Sequence, residues 1–65
     1  MIADYGEYEK LLKKHDVRTS DVVKATGLTG STIYDWKAGR YNPKVDKLIT
    51  IAEYFDVPLE TFIKK

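Results

Sequence analysis

The sequence predicts a single all-α domain of five short helices, and three observations predict it. Apolar residues recur three and four positions apart, no stretch alternates with period two, and Gly27, Gly39, Pro43 and Pro58 punctuate the pattern at helix-length intervals. A chain of 65 residues has room for one core, so residues 1–65 are read as one domain.

The first helix spans about residues 4–14. Asp4 stands as its cap with Glu7 three residues on, a capping-box-like pair. Tyr8, Leu11, Leu12 and His15 fall on one face, and Lys13 and Lys14 suit the C-terminal end. The second helix, about 19–26, takes Thr19 or Ser20 as cap, has Val22, Val23 and Ala25 as its apolar residues with Val22 and Val23 facing the third helix, and stops at Gly27. The third, about 30–38, starts at Thr29 or Gly30, buries Ile33 and Trp36, and ends at Gly39. Asn42 and Pro43 open the fourth, about 43–55, as cap and first helical residue. Its inner stripe reads Val45, Leu48, Ile49, Ala52 and Phe55. Ile51 and Tyr54 lie off that stripe. With Leu59, Phe62 and Ile63 they are read as divided between core and a small dimer patch. Pro58 opens the last helix, about 58–63.

Composition excludes several function classes. Without Cys there is no disulfide and no Cys-based zinc site, and the single His15 cannot form a His cluster. No cofactor or metal is therefore expected. No run approaches the ~18 apolar residues of a membrane span, and Met1-Ile2-Ala3-Asp4 lacks the basic and apolar regions of a signal peptide. The cytoplasm is the default compartment. Catalysis has no paired nucleophile and base, no carboxylate dyad with a pocket and no Gly-rich phosphate loop. The chain is expected not to be an enzyme.

Two short helices joined by a tight turn containing Gly make a helix-turn-helix, here Thr19 to Trp36. Gly27 supplies the positive φ that the turn needs. Thr29, Gly30, Ser31, Thr32, Tyr34 and Asp35 then remain outward on the third helix, a small polar face able to approach base edges. Gly27-Leu28-Thr29, Ser31-Thr32-Ile33, Trp36, Gly39, Pro43, Leu48-Ile49, Ile51-Ala52 and Phe55-Asp56-Val57 together resemble the Cro/phage-repressor helix-turn-helix family. The resemblance runs over about residues 5–63. It implies a compact five-helix, lambda-repressor-like domain that binds double-stranded operator DNA as a homodimer on a near-palindromic site.

Carried over by position, the resemblance implies base-facing roles for Thr29, Gly30, Ser31, Tyr34 and Asp35. It implies backbone contacts for Thr19 and Thr32 and for Lys37, Arg40, Tyr41 and Asn42 in the loop after the third helix, to which the DNA-binding reading adds Lys44. The chain departs from the pattern in having no Gln and only one Asn, Asn42, so no bidentate adenine reader lies on the third helix. Gly30 adds no side-chain readout, and no Arg or Lys stands among the groove-facing positions. That poverty motivates an alternative, a protein-interaction module on the same fold, such as an antitoxin or regulatory partner.

The net charge of +1 is uninformative until divided. Residues 1–9 sum to −3, residues 10–47 to +5 and residues 48–65 to −1. The basic middle holds the helix-turn-helix and the loop after it, where phosphates are expected. Trp36 is read as core and Tyr41 as an exposed aromatic.

Overall fold

The computed structural model describes residues 2–64; Met1 and Lys65, part of the predicted domain, lie outside the described residues. Four α-helices follow in order: α1 (Tyr5–His15), α2 (Thr19–Thr26), α3 (Gly30–Lys37) and α4 (Val45–Phe55). The fifth predicted helix is instead a 3-10 turn, Leu59–Phe62. Two strands not foreseen in the sequence, β1 (Ile2–Ala3) and β2 (Ile63–Lys64), pair antiparallel and join the two ends of the chain. Two-residue strands leave no detectable alternation, so only the meeting of the ends reveals them.

Local chemistry explains most helix ends, with three corrections at the starts. Thr29 caps α3 as expected, its Oγ1 accepting from the Thr32 N–H at 3.3 Å. Arg18, not Thr19 or Ser20, is the cap residue of α2, and its N–H donates to the Asp21 carboxylate at 2.9 Å. Asp4 stands at the cap of α1 but its side chain makes no capping bond. Its N–H instead donates to the Phe62 carbonyl at 2.8 Å, and Glu7 turns to Lys10 at 3.3 Å. Helix α4 begins two residues later than expected, after Lys44, because Asn42 is used elsewhere: its Oδ1 accepts from the Ala3 N–H at 2.8 Å. Pro43 is buried beside it.

Helices α1 and α4 stop in the same way. Asp16 (φ 52°) and Asp56 (φ 56°) adopt the left-handed conformation, and the next N–H, of Val17 or Val57, reaches back to the Leu12 or Ala52 carbonyl at 3.0 Å. A left-handed L-residue costs about 1–2 kcal/mol that glycine avoids. Asp56 is exposed, so Asp56→Gly is expected to stabilise the domain by about 0.5–1 kcal/mol and raise Tm by several degrees in thermal denaturation. An unchanged or lowered Tm counts against this account of the cap.

The core gathers Tyr8 and Leu11 of α1, Val22 of α2, Ile33 and Trp36 of α3, Leu48, Ile51, Ala52 and Phe55 of α4, and Phe62. Helix α4 packs on α2 and on the 3-10 turn, which also meets α1. The stripe of α4 is rotated from the predicted one. Ile51 faces in at 1% exposure, while Val45 and Ile49 are each 41% exposed. In α2 Val22 is fully buried, Val23 half-buried and Ala25 exposed. Phe62 is fully buried too, so Ile51 and Phe62 belong to the core and not to a dimer patch.

Aromatic rings tie the elements together. Tyr5, Tyr8 and Trp36 lie within 5.3–5.5 Å of one another, centroid to centroid, and Trp36 meets Phe62 at 6.4 Å in an edge arrangement. The Trp36 indole N–H donates to the Ala3 carbonyl at 3.2 Å, anchoring α3 to β1. Among the described residues no buried side-chain N or O lacks a partner, and no helix is long and apolar enough to cross a membrane.

Candidate nucleic-acid interface

Helices α2 and α3 are joined by Gly27, Leu28 and Thr29, with Gly27 at φ 77°. The Gly27 N–H closes α2 on the Val23 carbonyl at 3.0 Å, and Thr29 opens α3 two residues later. Val22, Ile33 and Trp36 are buried, so the two helices cross with their apolar sides inward. Their other sides are left outward, and that arrangement is the two-helix unit read from the sequence.

Of the five residues expected to face bases, Thr29 and Ser31 are exposed at the start of α3, and Tyr34 is 61% exposed one turn on. Thr29 and Thr32 join hydroxyls at 2.8 Å. Gly30 is half-buried; a Cβ placed there meets the Tyr34 ring at 3.8 Å, an ordinary contact, so the fold leaves room for a side chain. Asp35 is not a bare carboxylate. The Arg40 guanidinium donates to its Oδ1 from Nε at 3.2 Å and from Nη2 at 3.0 Å.

The residues expected on the phosphate backbone fall into separate places. Thr19 and Lys37 line a depression between α1 and the helix pair, together with Tyr34. Arg18 and Ser20 share that depression, and neither is among the site residues expected from the sequence. The signal for Arg18 was available, a cation at the first orphan amides of a helix. Arg40, Tyr41 and Asn42 border a second depression, beside β1 and the start of α1. Tyr41, expected to be exposed, is half-buried there, and Tyr34 is the exposed ring instead. Thr32 is half-buried and Lys44 exposed at the start of α4.

Within the basic middle of the chain some charge is already answered. Lys10 pairs with Glu7 at 3.3 Å and Lys13 reaches Glu9 at 4.0 Å, both along α1. Such exposed pairs are worth about 0–1 kcal/mol each. With Lys10 and Lys13 matched by the acids of α1 and Arg40 by Asp35, the positive excess of this segment is carried by its other cations, Arg18, Lys37 and Lys44 among them.

A family model described as Cro/C1-type HTH DNA-binding domain matches residues 9–64. The chain belongs to that family. Neither the curated proteins nor the solved structures gave a match. The Cro/C1-type match takes in most of α1 and everything from α2 to β2, and so includes the helix pair whose outer side is exposed.

Thr19 is held from behind. Its Oγ1 lies 3.1 Å from the hydroxyl of Tyr8, a side chain otherwise sealed in the core. Burial pushes the Tyr8 phenol above its ordinary value of 10, the bond to Thr19 opposing that rise, and burial also raises Tyr5. With the folded-state value raised, the folded chain keeps a proton that the unfolded chain releases near pH 10. The stability this represents is whole below about pH 10 and is lost as pH climbs through the raised value. Urea midpoints measured from pH 8 to strongly alkaline conditions should therefore fall less steeply for Tyr8→Phe than for wild type. Parallel curves count against Tyr8 as a contributor. At neutral pH the same variant should lose about 1 kcal/mol, one hydrogen bond.

Proposed function

We propose that the chain is a sequence-specific transcriptional regulator, repressor-like, that occupies a near-palindromic operator as a homodimer and blocks polymerase access. Each protomer lays α3 in a major groove, with half-sites about 34–36 Å apart. The observation that carries this reading is the outward surface of the Cro/C1-type helix pair, where Thr29 and Ser31 are exposed at the start of α3 and the exposed Tyr34 lines one depression with Arg18 and Lys37. Thr29, Gly30, Ser31, Tyr34 and Asp35 face base edges. Thr19, Thr32, Lys37, Tyr41 and Lys44 hold the phosphate backbone and fix the register, as contacts of that kind do.

Thr19 is well placed for such a contact. With the Tyr8 phenol as donor to Thr19 Oγ1, the Thr19 O–H is left to donate to a phosphate oxygen, and each bond polarises the next. The small side chains of α3 suit close approach, and hydroxyls can serve either partner of a base pair.

Electrophoretic mobility against random duplex DNA, at low and moderate salt, tests the reading. A shift at low salt that fades as salt rises is the expected result. A protein-interaction module on the same fold shifts no duplex at either salt, and that outcome removes the proposal.

A further inference from the structure

We propose that Arg40 is a base reader for guanine, with Asp35 as the residue that positions it; the inference rests on the DNA-binding reading above. The sequence puts Arg40 in the loop after the third helix, among residues that the family resemblance expects on phosphates. The fold brings it back. Gly39 at φ 80° turns the chain so that the Gly39 N–H closes on the Trp36 carbonyl at 3.1 Å and the Arg40 N–H on the Asp35 carbonyl at 2.9 Å. The backbone of Arg40 is thus tied to the residue whose carboxylate its guanidinium clasps.

The clasp leaves the reading end of the side chain unspent. Its two bonds, from Nε and Nη2, both go to Asp35 Oδ1. They use two of the five guanidinium N–H donors, and the three that remain include the Nη1–Nη2 fork that matches O6 and N7 of guanine. The Arg40 side chain is 68% exposed and so open to a ligand. Asp35 Oδ2 can still accept from cytosine N4.

Charge points the same way. Asp35 lies four residues after Ser31, on the same face of α3. A bare carboxylate there would enter a groove flanked by phosphates and be repelled. If Arg40 left for a phosphate, Asp35 would meet the duplex unpaired. Held in place, Arg40 cancels that repulsion and arrives already oriented, which lowers the side-chain entropy lost on binding. It also supplies the bidentate reader that no position of the third helix carries.

Selection of bound duplexes from a randomised pool tests this, using the full chain as wild type, Arg40→Lys, Arg40→Ala and Asp35→Asn. Thermal denaturation first establishes that each variant folds. The wild-type pool should hold guanine at one fixed position per half-site, and changing that pair should weaken binding about 5- to 150-fold. Arg40→Lys keeps the charge but not the fork, so it should weaken the preference at that position alone, and Arg40→Ala should lose it. Asp35→Asn should blunt it. If all four proteins select the same bases everywhere and Arg40→Ala merely binds every sequence less well, Arg40 is a phosphate contact and the inference falls while DNA binding stands. If the wild-type chain retains no duplex, the DNA-binding reading itself fails, and this inference with it.

Discussion

Phe62→Ala is expected to cost about 3–5 kcal/mol, enough to leave much of the chain unfolded at room temperature. A domain of 65 residues has only about 3–10 kcal/mol in total. Phe62 has no exposure, and its ring lies 6.4 Å from that of Trp36. Its carbonyl also accepts the Asp4 N–H, so it stands where the 3-10 turn, α1 and α3 meet. Removing the ring opens a cavity at that junction and loosens the pairing of β1 with β2 next to it. Phe62→Leu keeps most of the volume and should cost less than half as much. Urea denaturation of both variants is the measurement. A Phe62→Ala midpoint close to wild type would return Phe62 to the surface patch that the sequence allowed.

The second large effect is on DNA affinity, which should fall about 10³- to 10⁴-fold between 50 and 200 mM salt. If each protomer of a dimer neutralises three to four phosphates, the log–log slope lies near −5 to −7. Arg18, Lys37 and Lys44 are the cations placed for this, the first two lining one depression with Thr19. Replacing Lys37 or Lys44 by Ala should weaken binding to all sequences alike. Each should make the slope shallower by about one per protomer. Fluorescence titrations across the salt range decide it. A flat salt dependence contradicts phosphate contact, and a slope of half the expected size contradicts the dimer. The near-neutral total charge makes two copies more necessary, since one protomer has little excess cation with which to hold a duplex.

How far the site was legible depended on the range of the interaction involved. The start of α3 was readable because Thr29 caps its own helix and Gly27 closes the preceding one, both within four residues. The state of Asp35 was not. Its partner Arg40 is five residues away, beyond helical spacing, and reaches it only because Gly39 reverses the chain. Asn42 shows the same limit from the other side. Asn followed by Pro is a sound helix start, yet the Asn42 side chain is claimed by Ala3, thirty-nine residues earlier.

The sequence by itself determined four helices, their lengths to within two residues, and the turn that makes α2 and α3 a helix-turn-helix. Capping, glycine turns and 3.6-residue periodicity act over a few residues and are written where they act. Tertiary structure decided which way α4 faces. Val45, Leu48, Ile49, Ile51, Ala52, Tyr54 and Phe55 surround much of that helix, so periodicity alone had no single phase to choose. Packing against α2 and the 3-10 turn buried Leu48, Ile51, Ala52 and Phe55 and left Val45 and Ile49 outside. Tertiary structure also paired the chain ends, turned the fifth helix into a 3-10 turn and set Arg40 against Asp35. Each of these depends on a partner supplied by another part of the fold, which local spacing cannot specify.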